Sequence, residues 1–315
     1  MTELDVDPSG ASPTSGDEHR GVVAAGIDVG GTRIKAVLRH GSSIVNRYVG
    51  PTPPDLAHRF GEVVTAVLDR VVSAGPGRPA PTSVGVVVPG LVDERGGVAE
   101  WSANLGWRGL DIRAALAGPV DADVVVGHDV RAGLLGEHLL GAARGVDDVL
   151  FVPLGTGVAV ALMTGGRVAR GTTWSGELGH VQVAADGPVC GCGRRGCLET
   201  VAGAGAVGRR WRESGRDGDA RSVAEAVAAG DPVAQRIWRD AVEALAGGLA
   251  PVVTAAGSRR VVVGGGMAEA GAVLFDPLTA ALLAGVPDPG LEVVPAELGE
   301  WAGAIGAAHL LPAAT

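Results

Sequence analysis

The sequence predicts an α/β protein made of two domains. Runs rich in valine and isoleucine, typical of buried strands, alternate along the chain with stretches of helical periodicity. The length of 315 residues exceeds what one small core organises. Hydrophobic residues make up 46% of the chain and aromatic residues only 3%, so the core is expected to be large and aliphatic. The 52 glycines indicate frequent tight turns.

The first half of the chain is predicted to open as a meander of strands. The first strand leads directly into a Gly-Gly-Thr turn, and two more short β-branched runs follow. The predicted strands cover residues 22–29, 34–38, 44–49, 84–88, 123–126, 149–154 and 158–163, and the predicted helices cover residues 56–72 and 131–142. The last two strands flank a Gly-Thr-Gly turn, which makes them a weak repeat of the first strand and its turn.

The end of the chain is predicted to be mainly helical. Asp231 is a favourable N-cap and Pro232 a favourable first residue for a long helix that ends near residue 256. A strand over residues 260–263 follows and ends in three glycines. The final helix, residues 300–311, is apolar and rich in small residues, so we expect it to be buried.

The composition argues against several classes of protein. Residues 1–20 are polar and lack the apolar segment of a signal peptide, so we expect a disordered tail, too short for a helix-turn-helix domain. No apolar stretch is long enough to span a membrane, and the net charge of −9 does not favour binding to nucleic acid or anionic lipid. The few, clustered cysteines indicate a reducing compartment, and we expect a cytoplasmic protein.

All three cysteines of the chain lie within eight residues, at Cys190, Cys192 and Cys197, and His180 precedes them by ten positions. Three thiolates and one imidazole form a closed tetrahedral zinc site, the type that stabilises structure. The alternative is three ordinary loop thiols, which this clustering disfavours. The sequence therefore predicts structural zinc.

Three glycine-rich turns follow predicted strands. Their backbone amides can approach phosphate oxygens, and the carboxylate that ends the first strand is suited to hold magnesium or its water. Each turn is also compatible with plain β-turn or helix–strand packing, and the spacing is neither that of a Rossmann fold nor that of a Walker loop. The candidate nucleotide and phosphate residues are Asp28, Gly30, Gly31, Thr32, Gly155, Thr156, Gly157, Gly265 and Gly266.

Several polar residues are candidates for a substrate site. Asp129 ends a strand and precedes a helix, where a carboxylate is either an N-cap or a catalytic group. Glu177 and His180 are three residues apart, and Glu199 follows the last cysteine by two. Surface solvation is the alternative for both glutamates. We favour function, because zinc would hold them near each other.

These motifs together resemble the ROK family, which groups bacterial sugar kinases, related repressors and the mammalian N-acetylmannosamine kinase module. The combination of the cysteine signature with Glu-Leu-Gly-His is very specific to that family. The resemblance implies an actin-like, hexokinase-like (ribonuclease H-like) two-domain α/β fold with an interdomain cleft. We expect a small domain of residues 21–128 with 300–315 and a large domain of residues 129–299 with the zinc knuckle. The matching stretches are residues 28–32, 104–107, 129, 154–157, 176–180, 190–199 and 264–266.

The resemblance also implies roles for residues. Asp129 matches the catalytic base of the family, and the glycine turns match its phosphate and adenosine sites for ATP, with Mg²⁺ bound. Asn104, Glu177, His180 and Glu199 match its sugar-binding positions, and His180 is also a zinc ligand; His128 occupies a fifth sugar-binding position with a different residue. Closure of the two domains would exclude water.

The chain departs from the family pattern around Asp129. His128 stands where the family usually has asparagine, and Val130 and Arg131 stand where it usually has Ala-Asn. The usual asparagine helps to hold a sugar hydroxyl, so His128 bears on which sugar fits. Arg33 replaces a common lysine and keeps its charge.

The expected activity is ATP-dependent phosphorylation of a hexose at the 6-hydroxyl, with glucose as the first candidate. We also expect a homo-oligomer, a dimer or a tetramer, that binds neither nucleic acid nor membrane. The alternatives are a non-catalytic sugar sensor of the same family, a kinase for N-acetylglucosamine, N-acetylmannosamine or fructose, and a glucokinase that uses polyphosphate.

Overall fold

The computed structural model describes residues 21–73, 80–102 and 105–310. The predicted tail, Asn104 and the end of the last predicted helix lie outside these residues. Among the helices of the described ranges, none combines the length and the apolar composition needed to cross a membrane.

The described residues form strands and helices in alternating groups. The strands are β1 (Val23–Val29), β2 (Arg33–His40), β3 (Ser43–Pro51), β4 (Ser83–Val88), β5 (Leu91–Asp93), β6 (Val98–Ser102), β7 (Trp107–Asp111), β8 (Asp123–His128), β9 (Val149–Pro153), β10 (Ala161–Thr164), β11 (Arg167–Val168), β12 (Arg260–Gly264) and β13 (Glu292–Pro295). The helices are α1 (Phe60–Ser73), α2 (Ile112–Leu116), α3 (Asp129–Leu140), α4 (Glu199–Ala202), α5 (Ala204–Glu213), α6 (Ala220–Ala228), α7 (Pro232–Ala256), α8 (Ala272–Gly285) and α9 (Ala302–Ala307). Short 3-10 helices cover Leu56–His58, Leu178–His180, Gly266–Ala270 and Gly299–Trp301.

Two five-stranded sheets share one plan. The first has the order β3-β2-β1-β4-β8 and the second the order β11-β10-β9-β12-β13. In each sheet the first three strands along the chain pair as an antiparallel meander, and the other two extend it as parallel strands. This duplication confirms the repeat that the two glycine turns suggested, and the predicted α/β, actin-like class is correct.

Each sheet has an aliphatic core of its own. The core against the first sheet includes Ile27, Val64 and Ile112 from β1, α1 and α2. The core against the second sheet includes Leu150 and Leu245 from β9 and α7. The two cores agree with an architecture of two α/β units, while the predicted domain boundaries stay a prediction.

A third, three-stranded antiparallel sheet, β5-β6-β7, was not predicted. It stands between β4 and α2 in the chain, and its strands are only three to five residues long. Such short runs, interrupted by glycines and a tryptophan, carry no clear alternation of apolar and polar residues. This sheet matters for the site, because the turn that follows β5 carries Glu94.

Helix α9 packs against the first sheet through bare backbone. A methyl group on Gly26 of β1 would collide with the carbonyl of Ala304, and one on Gly85 of β4 would collide with the carbonyl of Ala307. On the opposite side, Gly306 lies against the carbonyl of Ala132 in α3. Glycine is required at these close approaches, because any side chain would force the elements apart. The helix therefore joins the first sheet to α3.

Most predicted elements are present, with shifted ends. Helix α7 covers residues 232–256 as predicted, because the Asp231 carboxylate accepts hydrogen bonds from two amides of the first turn and Gly257 ends the helix in the left-handed conformation. Strand β10 begins at residue 161 rather than 158. The last helix was predicted too long: only Ala302–Ala307 is α-helical, since glycines recur within it.

Candidate active site

Asp129 and His128 lie where β8 ends and α3 begins. The Asp129 Oδ1 atom accepts a hydrogen bond from the Val130 amide at 2.7 Å, which leaves Oδ2 as the oxygen for other partners. The His128 ring is almost fully buried, and its Nδ1 accepts from the same amide at 3.2 Å. Nδ1 also lies 3.2 Å from Asp129 Oδ1, and Nε2 stands 3.7 Å from Glu177 Oε1.

Glu177, His180 and Glu199 converge on the same place. Glu177 caps the 3-10 helix that ends at His180, and its Oε2 lies 3.7 Å from His180 Nε2. The other ring nitrogen, Nδ1, lies 3.3 Å from Glu199 Oε1, at the start of α4. Glu177 and His180 therefore point the same way, as their spacing predicted.

The Cys/His cluster fits a tetrahedral metal. The candidate ligand atoms of His180, Cys190, Cys192 and Cys197 all lie within 4.8 Å of one another. The Cys192 and Cys197 sulfurs are 3.7 Å apart, close to the edge of about 3.8 Å expected for Zn–S bonds of about 2.3 Å. His180 Nδ1 is 3.4 Å from Cys190 Sγ, so the nitrogen opposite the substrate side faces the cluster. The residues present fit a structural zinc ion.

The three thiols differ in acidity. Burial raises the pKa of Cys190, with a further increase from its hydrogen bond to Glu199 Oε1 at 2.8 Å. Burial also raises the pKa of Cys192, but hydrogen bonds from the Arg194 backbone and side chain, together with those from Cys190 and Cys197, lower this pKa to about 6. One thiol is thus predisposed to the thiolate form that metals bind.

One cavity of about 550 Å³ collects most of the predicted catalytic and sugar residues. Its walls also include the Gly155 turn and Gly265, and the buried strand end at Pro89 and Gly90. The predicted residues that line it are His128, Asp129, Gly155, Thr156, Gly157, Glu177, His180, Glu199 and Gly265. A volume of this size accommodates a monosaccharide with room for a phosphoryl group.

A second cavity of about 640 Å³ adjoins the first. Both cavities are lined by Thr156 and Gly205, so they meet at the Gly155 turn. The second contains Gly266 and apolar side chains such as Met267 and Trp238, with charged residues at Arg212 and Asp219. It has the size and the apolar walls that a nucleoside needs.

The turns around the junction are held by the backbone. The Gly155 amide donates to the Gly157 carbonyl at 3.2 Å, and the Gly155 carbonyl accepts from Ala204 at 2.9 Å at the start of α5. Gly265 has a φ of +80° and lies against the Leu154 backbone, so only glycine fits there. Two predicted glycine turns are therefore adjacent in space.

The Asp28 turn is placed differently. Asp28, Gly30, Gly31 and Thr32 line neither of the two cavities. Asp28 itself is buried, and burial raises its pKa to about 6; Lys35 opposes this shift, and the charge of Asp129 adds to it. Two carboxylates within each other's field, one of them buried, form an environment that favours a bound cation. Asp28 therefore fits a magnesium ligand.

Three functional candidates were not singled out in the sequence. Lys35 Nζ lies 3.0 Å from Asp28 Oδ2, and the β1–β2 register places these two residues opposite each other. A hairpin register drawn from the Gly-Gly-Thr turn would have found this pair. Arg209 of α5 and Thr200, the residue after Glu199, line the first cavity, which also contains Asp129. Arg33, by contrast, is exposed and forms an ion pair with Glu300 at 3.0 Å.

Comparisons with known proteins agree with this arrangement. The sequence matches the ROK family over residues 24–314. It is 32% identical to a glucokinase of Thermotoga maritima over 91% of this chain and 96% of the relative. The structure matches that of a ROK hexokinase from Thermus thermophilus, with a TM-score of 0.81, 34% identity and coverage of 91% of this chain and 97% of the other.

A further solved structure contains both a sugar and an ATP analogue. It is a ROK family glucokinase from Streptomyces griseus in complex with glucose and AMPPNP. The match has a TM-score of 0.76 and 29% identity, and covers 91% of this chain and 98% of the other.

Proposed function

The chain belongs to the ROK family, and we propose that it transfers the γ-phosphoryl group of ATP to the 6-hydroxyl of a hexose, with glucose as the first candidate. The observation that carries this proposal is the pair of adjoining cavities that meet at Thr156 and Gly205. One is lined by carboxylates and imidazoles suited to a sugar, and the other by apolar side chains suited to a nucleoside. The phosphates of the nucleotide would then lie at the Gly155 turn, between the two.

Asp129 acts as the general base in this proposal. A sugar hydroxyl has a pKa far above neutrality and attacks phosphorus poorly, so a base must accept its proton as the new bond forms. The hydrogen bond from the Val130 amide fixes one oxygen of Asp129 and orients the carboxylate at the cavity wall. The backbone amides of the Gly155 turn would stabilise the charge on the transferred group.

The side chains that orient the sugar are held in place by contacts with each other and with the metal cluster. Glu199 contacts both His180 and Cys190, and His180 contacts the metal cluster through Nδ1 while its Nε2 faces Glu177. Glu177, His180 and Glu199 would accept and donate hydrogen bonds to the sugar hydroxyls, and the sugar-binding role of Asn104 stays a prediction. Fixed donors and acceptors place the 6-hydroxyl for attack and lower the entropic part of the barrier.

Two metal ions belong to the proposal. Zinc, held by His180, Cys190, Cys192 and Cys197, would stabilise the knuckle without taking part in the reaction. Magnesium, held near Asp28, would supply charge neutralisation for the phosphates when bound. Asp28 is kept in place by Lys35.

ATP is favoured over polyphosphate as the phosphoryl donor. A polyphosphate chain has no nucleoside, whereas the larger cavity has apolar walls, including Met267 and Val273, beside the phosphate turn. Comparable rates with polyphosphate and with ATP would argue against this assignment.

A panel of hexoses tests the proposal. Purified protein with ATP and Mg²⁺ is incubated with glucose, mannose, fructose, N-acetylglucosamine and N-acetylmannosamine, and ADP release and the phosphorylated product are measured. We expect glucose to give the highest kcat/KM, with phosphate on the 6-oxygen. If several hexoses bind but none is phosphorylated, the chain is a sugar sensor and the kinase proposal is wrong.

His128 provides a test of the sugar. Its Nε2 faces Glu177 at the cavity wall, and we expect it to contact a sugar hydroxyl, so His128→Phe should lower the glucose kcat/KM by roughly 10- to 100-fold because that hydroxyl loses its partner. His128→Asn keeps a donor and should retain most of the activity. The exposed His58 serves as the control position, since His58→Asn should change nothing. A sharp rise of glucose turnover in His128→Asn would mean that another hexose is the natural substrate.

A further inference from the structure

An arginine and a glutamate behind the sugar cavity form a buried ion pair that neither the motifs nor the proposed reaction uses. Arg131 lies in the first turn of α3, two residues after Asp129, and Glu94 lies in the turn after β5. Arg131 Nε donates to Glu94 Oε1 at 2.8 Å, and both side chains are largely buried, with 6% and 13% of their surface exposed. Buried charges are costly unless they are paired, so the pair needs an explanation.

The pair connects three parts of the chain. Besides Arg131, the Glu94 Oε1 atom accepts a hydrogen bond from the His128 backbone amide at 3.1 Å. The second arm of the Arg131 guanidinium, Nη1, donates to the Ser175 carbonyl at 3.0 Å. Ser175 is two residues before Glu177. The pair thus links the His128–Asp129 backbone to the segment that carries Glu177.

The segment is held at a second point by the same carboxylate. Arg170 Nε lies 3.4 Å from Glu94 Oε2, so Glu94 binds an arginine with each oxygen. At its other end, the Gly176 carbonyl accepts from the Val160 amide at 2.9 Å. Residues 170–176 therefore run between anchors on the turn after β5, on α3 and on Val160, the residue before β10.

We propose that Arg131 and Glu94 are positioning residues that set the distance between the Asp129 side and the Glu177 side of the sugar cavity. The inference rests on the proposed function only in that a hexose binds there. The pair lines neither cavity, but its hydrogen bonds hold the backbone at His128 and at Ser175, beside residues of the sugar cavity, so we expect its effect to be confined to the sugar. Only a guanidinium can form both contacts, because its planar group donates to Glu94 and to Ser175 at the same time and in different directions.

The experiment measures ligand affinities of Arg131→Lys by calorimetry, with glucose and with AMPPNP as separate probes. Lysine keeps the charge opposite Glu94 but cannot hold both partners as the fork does. We expect the glucose Kd to rise about tenfold or more, and the AMPPNP Kd to stay within about twofold. The melting temperature shows whether the variant is folded.

The chain offers a matched control in Arg260. Its Nε donates to Glu292 at 2.7 Å and its Nη1 donates to the Ala142 carbonyl at 2.7 Å, the same two-armed pattern. Arg260 begins β12, at the opposite end of that strand from Gly264. Arg260→Lys should change neither affinity.

A second variant keeps the inference open to refutation if Arg131→Lys folds poorly. Glu94→Gln has nearly the same shape and should also weaken glucose binding selectively. The double variant should lose less than the sum of the single losses, because both changes break one unit. Unchanged glucose affinity in folded variants, or parallel loss of glucose and AMPPNP affinity, overturns the inference. Glucose binding by the wild type without phosphorylation overturns the kinase proposal alone, and absence of any hexose binding overturns both.

Discussion

Asp129→Asn is expected to lower kcat by roughly 10²- to 10⁴-fold, the usual contribution of a general base. The amide cannot accept the hydroxyl proton, but its oxygen can still accept the Val130 amide hydrogen bond that the carboxylate accepts now. The fold and the glucose affinity should therefore stay close to those of the wild type. Initial rates of ADP release at saturating glucose and ATP measure the effect.

A second aspartate provides the control for this change. Asp123 is exposed at the opposite end of the same strand, β8, so Asp123→Asn alters the same chemical group away from the cavity. We expect it to leave kcat unchanged. Turnover of Asp129→Asn within a few-fold of wild type would show that another group accepts the proton.

Cys192→Ala is expected to remove the metal and, with it, much of the sugar affinity. The variant deletes one of four ligands, and metal binding is coupled to folding of the site. His180 and Glu199 border the cluster and line the sugar cavity, so both lose their support. We expect one zinc per chain in the wild type and almost none in the variant, a melting temperature lower by on the order of 5–10 °C, and a higher glucose Kd.

Arg195→Ala is the matched change within the same knuckle. The Arg195 side chain is exposed, and the hydrogen bond that it accepts from Gln182 is to its backbone carbonyl. Elemental analysis should find zinc retained in this variant. Full activity in a metal-free wild-type sample would contradict the structural role of zinc.

The sequence was most informative where local chemistry decides the structure. The start of helix α7 was predicted because its N-cap, Asp231, and the proline that follows it act within two residues. The Cys/His cluster could be predicted because three ligands are neighbours along the chain. Strands β5, β6 and β7 were missed, since they are too short to show periodicity and are fixed by pairing with each other.

The candidate site shows the same division. Asp129, Glu177, His180 and Glu199 were chosen by residue type and motif, and they line one cavity. Glu94 was not chosen, because its partners Arg131 and Arg170 are 37 and 76 residues away in the chain, beyond any local pattern. The one signal in the sequence was Arg131 itself, two residues after the predicted catalytic Asp129, because a charge that becomes buried there requires a partner.

The close contact of α9 with β1 and β4 has a consequence for synthesis of the chain on the ribosome. About 170 residues separate the end of β8 from α9, which is roughly 10–35 s of translation at about 5–20 residues per second. During that interval the nascent first sheet has no cover over Gly26 and Gly85, and the aliphatic residues around them face solvent. We expect this sheet to remain open, and available to chaperones, until α9 emerges. A nascent chain stalled before residue 302 would then be more prone to aggregation and proteolysis than its length suggests.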